Sequence, residues 1–153
     1  MNINTESIRA LLMKHNIKPS YPRIRIMEYL LAKRNHPTVE KIYGELVKEI
    51  PTLSKTTVYN TLNLFINANI TRVVTIEDNE TRYDADITNH GHFKCETCGM
   101  VYDFSISSDD IETKGLEKFE VHEKNVYYKG ICPKCLNNKT NIEEVKNEKF
   151  KRY

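Results

Sequence analysis

The chain has no apolar run approaching the ~20 residues that a membrane-spanning helix needs. It has no proline-, glycine- or serine-rich hinge, and no internal repeat beyond a doubled cysteine pair. Its opening residues, MNINTESIRALLMKHNIK, lack the basic lead, continuous apolar core and small-residue cleavage site of a secretory signal. The expected compartment is the cytoplasm, with no membrane partner. Thiols stay reduced there, so a disulfide framework is not expected from the four cysteines.

What is present suits one large domain or two small ones. The chain has 153 residues, 39% of them hydrophobic and 29% charged, with a mean hydropathy of −0.58, a composition that supports a core beneath a polar surface. The net charge of +2 hides an asymmetry. Residues 1–76 carry 11 Lys and Arg against 5 Asp and Glu, whereas residues 77–153 carry 12 against 16. A basic half beside an acidic half rich in His and Cys points to separate polyanion and cation partners.

Helical spacing runs through the basic half. Ile8, Leu11 and Leu12 mark a first helix with Thr5 as expected N-cap, and Ile26, Met27, Leu30 and Leu31 mark a second. The breaker Lys18-Pro19-Ser20-Tyr21-Pro22 lies between them. After His36-Pro37-Thr38, a third amphipathic helix follows Val39, Ile42, Tyr43, Leu46 and Val47, and Pro51 closes it. Ser54 is positioned to cap a fourth helix reaching about Asn67. A β-branched stretch, Thr71–Ile76, a turn at Glu77–Glu80 and a return at Thr81–Tyr83 predict a hairpin. Two helices joined by a tight turn and followed by a hairpin form a winged helix-turn-helix.

On the fourth helix, Val58, Leu62, Phe65 and Ile66 share a face that predicts packing on the third helix. The opposite face shows Lys55, Thr57, Tyr59, Asn60 and Asn63. Hydroxyls contact phosphates, while Asn and Lys pair with adenine and guanine edges. That composition near a helix N-terminus fits a groove-reading element for double-stranded DNA.

Past residue 84 the texture changes to a small α+β unit. Phe93–Cys95, Met100–Phe104 and Val126–Ile131 read as strands, and Asp109–Phe119 as a helix. The domain reading is 1–84 for DNA binding, 85–136 for metal binding and dimerisation, and 137–153 for a charged tail, frayed or disordered, with a linker near Thr81–Thr88. The pairs Cys95/Cys98 and Cys132/Cys135 each place two thiolates in a tight turn, and two such turns complete a closed tetrahedral cage suited to structural zinc. A redox dithiol needs only one pair. Between the domains, Asp84, His90 and His92 are dense in N and O donors, and residues 90 and 92 face the same side of an extended strand. Asp103 falls on the strand expected to pair back against them. His36 lies in the other domain. An imidazole and carboxylate set of this kind suits Fe²⁺ or Mn²⁺ better than a thiolate cage does.

Five segments, HPTVEKIY (36–43), SKTTVYNTLNLF (54–65), TRYD (81–84), HGHFKCETCGMVYDF (90–104) and GICPKC (130–135), resemble the ferric uptake regulator superfamily and, within it, the peroxide-stress regulators (PerR). The resemblance implies a winged helix-turn-helix ahead of a dimerisation domain, a structural Cys₄ zinc site, and a regulatory site made of His36, Asp84, His90, His92 and Asp103. Asp rather than Glu at 103, and Asn60 where other branches show Arg, are the PerR-like choices. DNA contacts would fall to Arg23, Lys55, Thr57, Tyr59 and Asn60. The implied mechanism is a switch. Metal bound at the five ligands closes a homodimer whose reading helices match operator half-sites ~34–36 Å apart. Peroxide then oxidises His36 or His90 to 2-oxo-histidine at bound Fe²⁺, and the DNA is released. The rivals are a plain iron- or manganese-responsive repressor, a non-haem iron enzyme built on a facial triad, and a zinc-stapled adaptor. The expected protein is not an enzyme.

Overall fold

The computed structural model describes residues 4–77, 80–107, 114–122 and 124–138. The chain divides between Thr88 and Asn89 into two compact units. Residues just past Asp84 stay with the first unit because they bond back to it. The Asp86 N–H donates to Asp84 Oδ1 (2.8 Å), and Arg34 Nη2 donates to Asp86 Oδ2 (2.7 Å). Among the described residues, no helix is long and apolar enough to cross a membrane.

The first unit begins with α1 (Thr5–Lys14). Its cap is Asn4 rather than the expected Thr5, because the Asn4 carboxamide oxygen reaches the Ser7 N–H at 2.7 Å and the Ser7 hydroxyl accepts from the Asn4 N–H at 3.2 Å. Next, α2 (Tyr21–Lys33) carries Pro22 in its first turn, where no N–H is needed, and it stops at Arg34 in the left-handed region, φ 45°. Thr38 caps α3 (Val39–Leu46), its Oγ1 accepting from the Lys41 N–H at 3.2 Å. Ser54 caps α4 (Lys55–Asn67) in the same way through the Thr57 N–H at 3.0 Å. The caps of α3 and α4 satisfy donors that the helix itself leaves open.

Apolar faces from all four helices meet in one core, with Ile8, Leu12, Met27, Ile42, Val58, Leu62 and Phe65 fully buried. Ile66, expected on the packed face of α4, is half-buried at its edge. The strands β1 (Arg72–Glu77) and β2 (Glu80–Asp84) pair antiparallel, with Val73 opposite Tyr83 and Val74 opposite Arg82. The two middle residues of the expected turn, Asp78 and Asn79, lie outside the described residues. A helix-turn-helix with a two-stranded wing is therefore present in this unit.

The second unit is built on a three-stranded sheet, β4 (Val101–Ser105), β3 (His90–Cys95) and β5 (Tyr127–Gly130), with β3 central. The β4 strand is antiparallel to β3, placing His92 opposite Asp103, and β5 is parallel to it, placing His92 opposite Tyr127. The expected helix at Asp109–Phe119 is not found where the structure describes it. Residues 114–119 form turns, with Gly115 at φ 93°, a conformation that stops helix propagation. The rest of that segment, 109–113, lies outside the described residues, as do residues 139–153 of the expected tail. Residues 133–138 are helical.

One close approach governs the central strand. A Cβ on Gly91 would lie 2.2 Å from the Phe104 ring, which itself stacks on Tyr128 at a centroid distance of 5.1 Å. Gly91→Ala must push that ring out of its stack, and is expected to cost about 1–3 kcal/mol. Chemical denaturation of the second unit measures this, and an unchanged midpoint would show that the ring moves freely.

Candidate metal centres and DNA-reading face

Cys95 ends β3, and the turn behind it is tight. The Cys95 N–H donates to Met100 O and the Gly99 N–H to Cys95 O, both at 2.9 Å, with Gly99 in the left-handed region at φ 71°. Cys98 sits within that turn. Cys132 and Cys135 follow the end of β5, which the parallel pairing brings alongside Cys95, with Gly130 opposite it. The four sulfurs lie within 4.8 Å of one another. All four cysteines are free, and the Cys98 and Cys132 sulfurs stand 3.9 Å apart. That is the edge of a tetrahedron with Zn–S bonds of ~2.3 Å, roughly 3.8 Å, and far from a disulfide at ~2.05 Å.

The electrostatics of the cage call for a cation. The Cys132 N–H donates to Cys95 Sγ at 3.3 Å, and this is the main reason the Cys95 thiol is held down to about 6. The Tyr102 hydroxyl holds Cys132 low in turn, and is itself raised to about 12. Cys135 is pushed up to about 12, first by its hydrogen bond with Cys132 and then by burial. Backbone and phenol donors thus favour the first thiolates, while crowding resists the last. A divalent ion at the centre removes that resistance. The donor set fits zinc in a closed, non-catalytic site.

The nitrogen and oxygen donors form one group in each unit. In the second, His90 and His92 project from the same face of β3 with their Nε2 atoms 3.2 Å apart. Asp103 Oδ1 approaches them from β4, at 3.5 Å from His90 Nε2 and 3.7 Å from His92 Nε2. Two imidazole nitrogens sharing one ion through bonds of ~2.0–2.1 Å stand roughly 2.9–3.4 Å apart, so the pair is spaced for a common cation. In the first unit, His36 (2% exposed) and Asp84 (7% exposed) are buried together, with Nε2 and Oδ2 3.7 Å apart. His36 adopts φ 46°, in the left-handed region that few residues other than glycine enter. Arg82 Nη1 donates to the His36 carbonyl at 3.2 Å, and the Tyr83 N–H donates to the Pro37 carbonyl at 3.1 Å, tying that conformation to β2. Imidazole and carboxylate donors of this kind fit Fe²⁺ or Mn²⁺.

The exposed face of α4 carries Lys55, Thr57, Tyr59 and Asn60, with Asn63 half-exposed further along. Lys55 Nζ lies 3.8 Å from Glu40 Oε1 and 5.9 Å from the Tyr43 ring centre, contacts weak enough to yield to a phosphate. Arg23, half-buried at the start of α2, donates through Nη1 to the Lys18 carbonyl at 2.7 Å. The winged unit therefore turns an uncharged-to-basic face of α4 outward.

Residues 14–131 match the sequence profile of the ferric uptake regulator family. The chain belongs to the ferric uptake regulator family. Members of this family are metal-binding, DNA-binding regulators rather than enzymes. The chain is 34% identical over 133 residues to the peroxide-responsive repressor PerR of Staphylococcus epidermidis, a match covering 85% of this chain and 88% of that protein. The ferric uptake regulator of Vibrio cholerae, solved by crystallography, superimposes with a TM-score of 0.67 at 26% identity, covering 81% of this chain and 98% of that one. PerR from Streptococcus pyogenes, whose structure was solved as a basis for peroxide sensing and gene regulation, gives 0.50 at 30% identity, covering 86% and 92%.

Two positioning residues escaped the sequence reading. Arg82 falls in the expected hairpin, and its alternation with Asp84 along β2 places both on one face of the strand. Tyr102 lies on the expected strand Met100–Phe104, and its hydroxyl is the main influence holding the Cys132 thiol low.

The cage makes a direct prediction. Cys132→Ser is expected to lose zinc and the ordered second unit, while the helical signal of the first unit persists. Zinc in the unaltered chain is retained at neutral pH and released on acidification, because protons compete for thiolates. The Cys95 thiol, held low chiefly by the Cys132 N–H, favours retention in the same direction. A depressed thiol favours the folded, ligating form above its own pKa, and that contribution vanishes as pH falls through it. A zinc-sensitive dye followed against pH reads this, and zinc retention indifferent to pH would contradict the cage.

Proposed function

We propose that the chain is a homodimeric, metal-dependent transcriptional repressor that releases its double-stranded DNA operator when peroxide modifies a ligand histidine. The observation that carries this reading is the division of the open donor set, His36 with Asp84 in one unit and His90, His92 and Asp103 in the other. In the proposal these five side chains hold one Fe²⁺ or Mn²⁺, residues 1–84 read DNA, and residues 85–136 carry the metal and the dimer contact. Cys95, Cys98, Cys132 and Cys135 hold a zinc ion that keeps the second unit folded whatever happens at the open site. The likeness to peroxide-responsive repressors at 30–34% identity supports the peroxide response, as does the short carboxylate at position 103.

Ligands drawn from two bodies make the ion a coupling element, because its binding free energy depends on how the bodies are placed. When bound, Fe²⁺ supplies the electrons that make hydrogen peroxide an oxidant of nearby imidazoles, whereas Mn²⁺ supplies charge alone. In this reading His36 or His90 takes one peroxide oxygen at a ring carbon to become 2-oxo-histidine, and the other oxygen leaves as water. An oxidised ring loses donor strength, and the two groups of ligands part. Arg82 and the Tyr83 N–H keep the His36 backbone tied to the wing, so a change at His36 is felt by β2 and the reading helix next to it. Arg23, Lys55, Thr57, Tyr59 and Asn60 make the DNA contacts.

Operator binding measured with zinc alone, with added Mn²⁺ and with added Fe²⁺, before and after peroxide, tests the reading. Metal-stimulated binding is expected with both ions, and peroxide releases only the iron form, with one oxygen added on His36 or His90 by mass spectrometry. Equal resistance to peroxide in both forms would instead assign a plain iron- or manganese-responsive repressor. Absence of metal-stimulated binding would remove the repressor reading altogether.

A further inference from the structure

A cleft of about 730 Å³ opens between the start of α3, the start of α4 and the strand β2. Thr38, Val39 and Glu40 line it from α3, Lys55 and Thr56 from α4, and Tyr83 from β2. Both helices therefore turn their first residues towards the same space. The caps take up one donor each, the Lys41 N–H by Thr38 and the Thr57 N–H by Ser54. Helix geometry leaves the N–H groups of Val39, Glu40, Lys55 and Thr56 without intrahelical acceptors, and the positive ends of two peptide dipoles coincide there.

Tyr83 is the second and independent sign. The residue is only 3% exposed, yet it lines the cleft, and its hydroxyl makes no hydrogen bond to any described residue. The oxygen is not one of the buried side-chain atoms left without a partner, so it opens on the cleft, where an occupant can reach it. Of the carboxylates at the rim, Glu80 is paired with Arg82 at 2.7 Å. Glu40 stands 3.8 Å from Lys55, and burial first, with Tyr59 and Glu40 after it, raises the Tyr83 hydroxyl above its ordinary value, which keeps the phenol protonated as a donor. The cleft thus presents a lysine, a phenol and backbone donors to an occupant carrying acceptor oxygens.

We propose that this cleft seats a phosphate of the DNA backbone, with the Tyr83 hydroxyl as its donor from the cleft wall. The proposal rests on the DNA-binding reading above and deepens it. The strand passing between the reading helix and the wing crosses the cleft mouth, where Lys55 and the 51% exposed Tyr59 already stand. A phosphate gripped from below by Tyr83 fixes how deep α4 enters the groove, while the outward face of α4 reads the bases. A free phosphate or nucleotide shares this chemistry, and the test separates it from the backbone.

Tyr83→Phe deletes one donor and keeps the ring in the core. With the manganese-loaded variant, binding is expected to fall roughly tenfold on the operator and equally on a scrambled duplex, the weight of one hydrogen bond to a charged oxygen. The dependence on salt stays as in the unaltered protein, because no charge is removed. Phosphate ethylation of the duplex gives a second reading that needs no variant to fold. One ethylated phosphate per half-site weakens the unaltered protein, and the same lesion has no further effect on Tyr83→Phe. Wild-type affinity in the variant, or a loss confined to the operator, overturns the proposal. So does saturable sub-millimolar binding of inorganic phosphate that Tyr83→Phe abolishes while DNA affinity is unchanged, since that assigns the cleft to a free anion. If the unaltered protein binds no duplex in any metal state, the repressor reading fails first, a result distinct from an indifferent Tyr83→Phe.

Discussion

The alternation of a single strand, β3, governs most of the chemistry in this chain. His90 and His92 leave one face towards Asp103, Gly91 on the other face yields to the Phe104 ring, and Cys95 closes the strand inside the sulfur cage. A strand repeats every two residues, so a one-residue slip would exchange ligands for packing residues along its whole length. The neighbours hold the register. Antiparallel β4 sets Asp103 against His92, and parallel β5 delivers Cys132 and Cys135 next to Cys95. The zinc cage is thus more than a staple at the end of the sheet. By fastening the ends of β3 and β5, it holds the register that brings the imidazoles and the carboxylate together.

The first unit solves a different problem, that of presenting a buried histidine from a connection between helices. A left-handed residue that is not glycine costs on the order of 1 kcal/mol or more and persists where its surroundings dictate it. Around His36 those surroundings are Pro37, the Arg82 guanidinium on the His36 carbonyl, and the Tyr83 amide on the Pro37 carbonyl. All of them run through β2, whose last residue is Asp84. The wing, the histidine and the carboxylate consequently form one mechanical piece, and α3 begins directly after it. His36 thus stands two residues ahead of the Thr38 cap of α3, the helix that packs against α4.

Much of this was legible in the sequence because the signals are local. Ser54 ahead of Lys55-Thr56-Thr57 announced a capped helix, and the buried Val58, Leu62 and Phe65 opposite an exposed Lys55, Thr57, Tyr59 and Asn60 matched the expected two faces. The spacing of the cysteines and of His90 and His92 pointed to their chemistry without any fold. The misses have equally physical causes. Asn4 and Thr5 are both competent caps, and only the geometry of the Ser7 N–H distinguishes them. Apolar residues around Leu116 and Phe119 imitated a helix, but Gly115 turns the chain there. Parallel pairing of β5 with β3 joins segments more than thirty residues apart, and no local pattern encodes that register. Arg82 and Tyr102 act through a carbonyl and a sulfur elsewhere in the chain, so their roles exist only once the backbone has folded.

The central claim is that one cation is shared by a histidine of the winged unit and by ligands of the sheet unit. Mn²⁺ affinity followed by electron paramagnetic resonance in His36→Ala and His92→Ala tests it most directly, with zinc content confirmed in each. The account predicts that both substitutions weaken Mn²⁺ by a similar factor, at least tenfold, as expected when either removes one bond from the same ion. Unchanged Mn²⁺ affinity in His36→Ala, beside a large loss in His92→Ala, would show that the ion belongs to the sheet unit alone and would contradict the account.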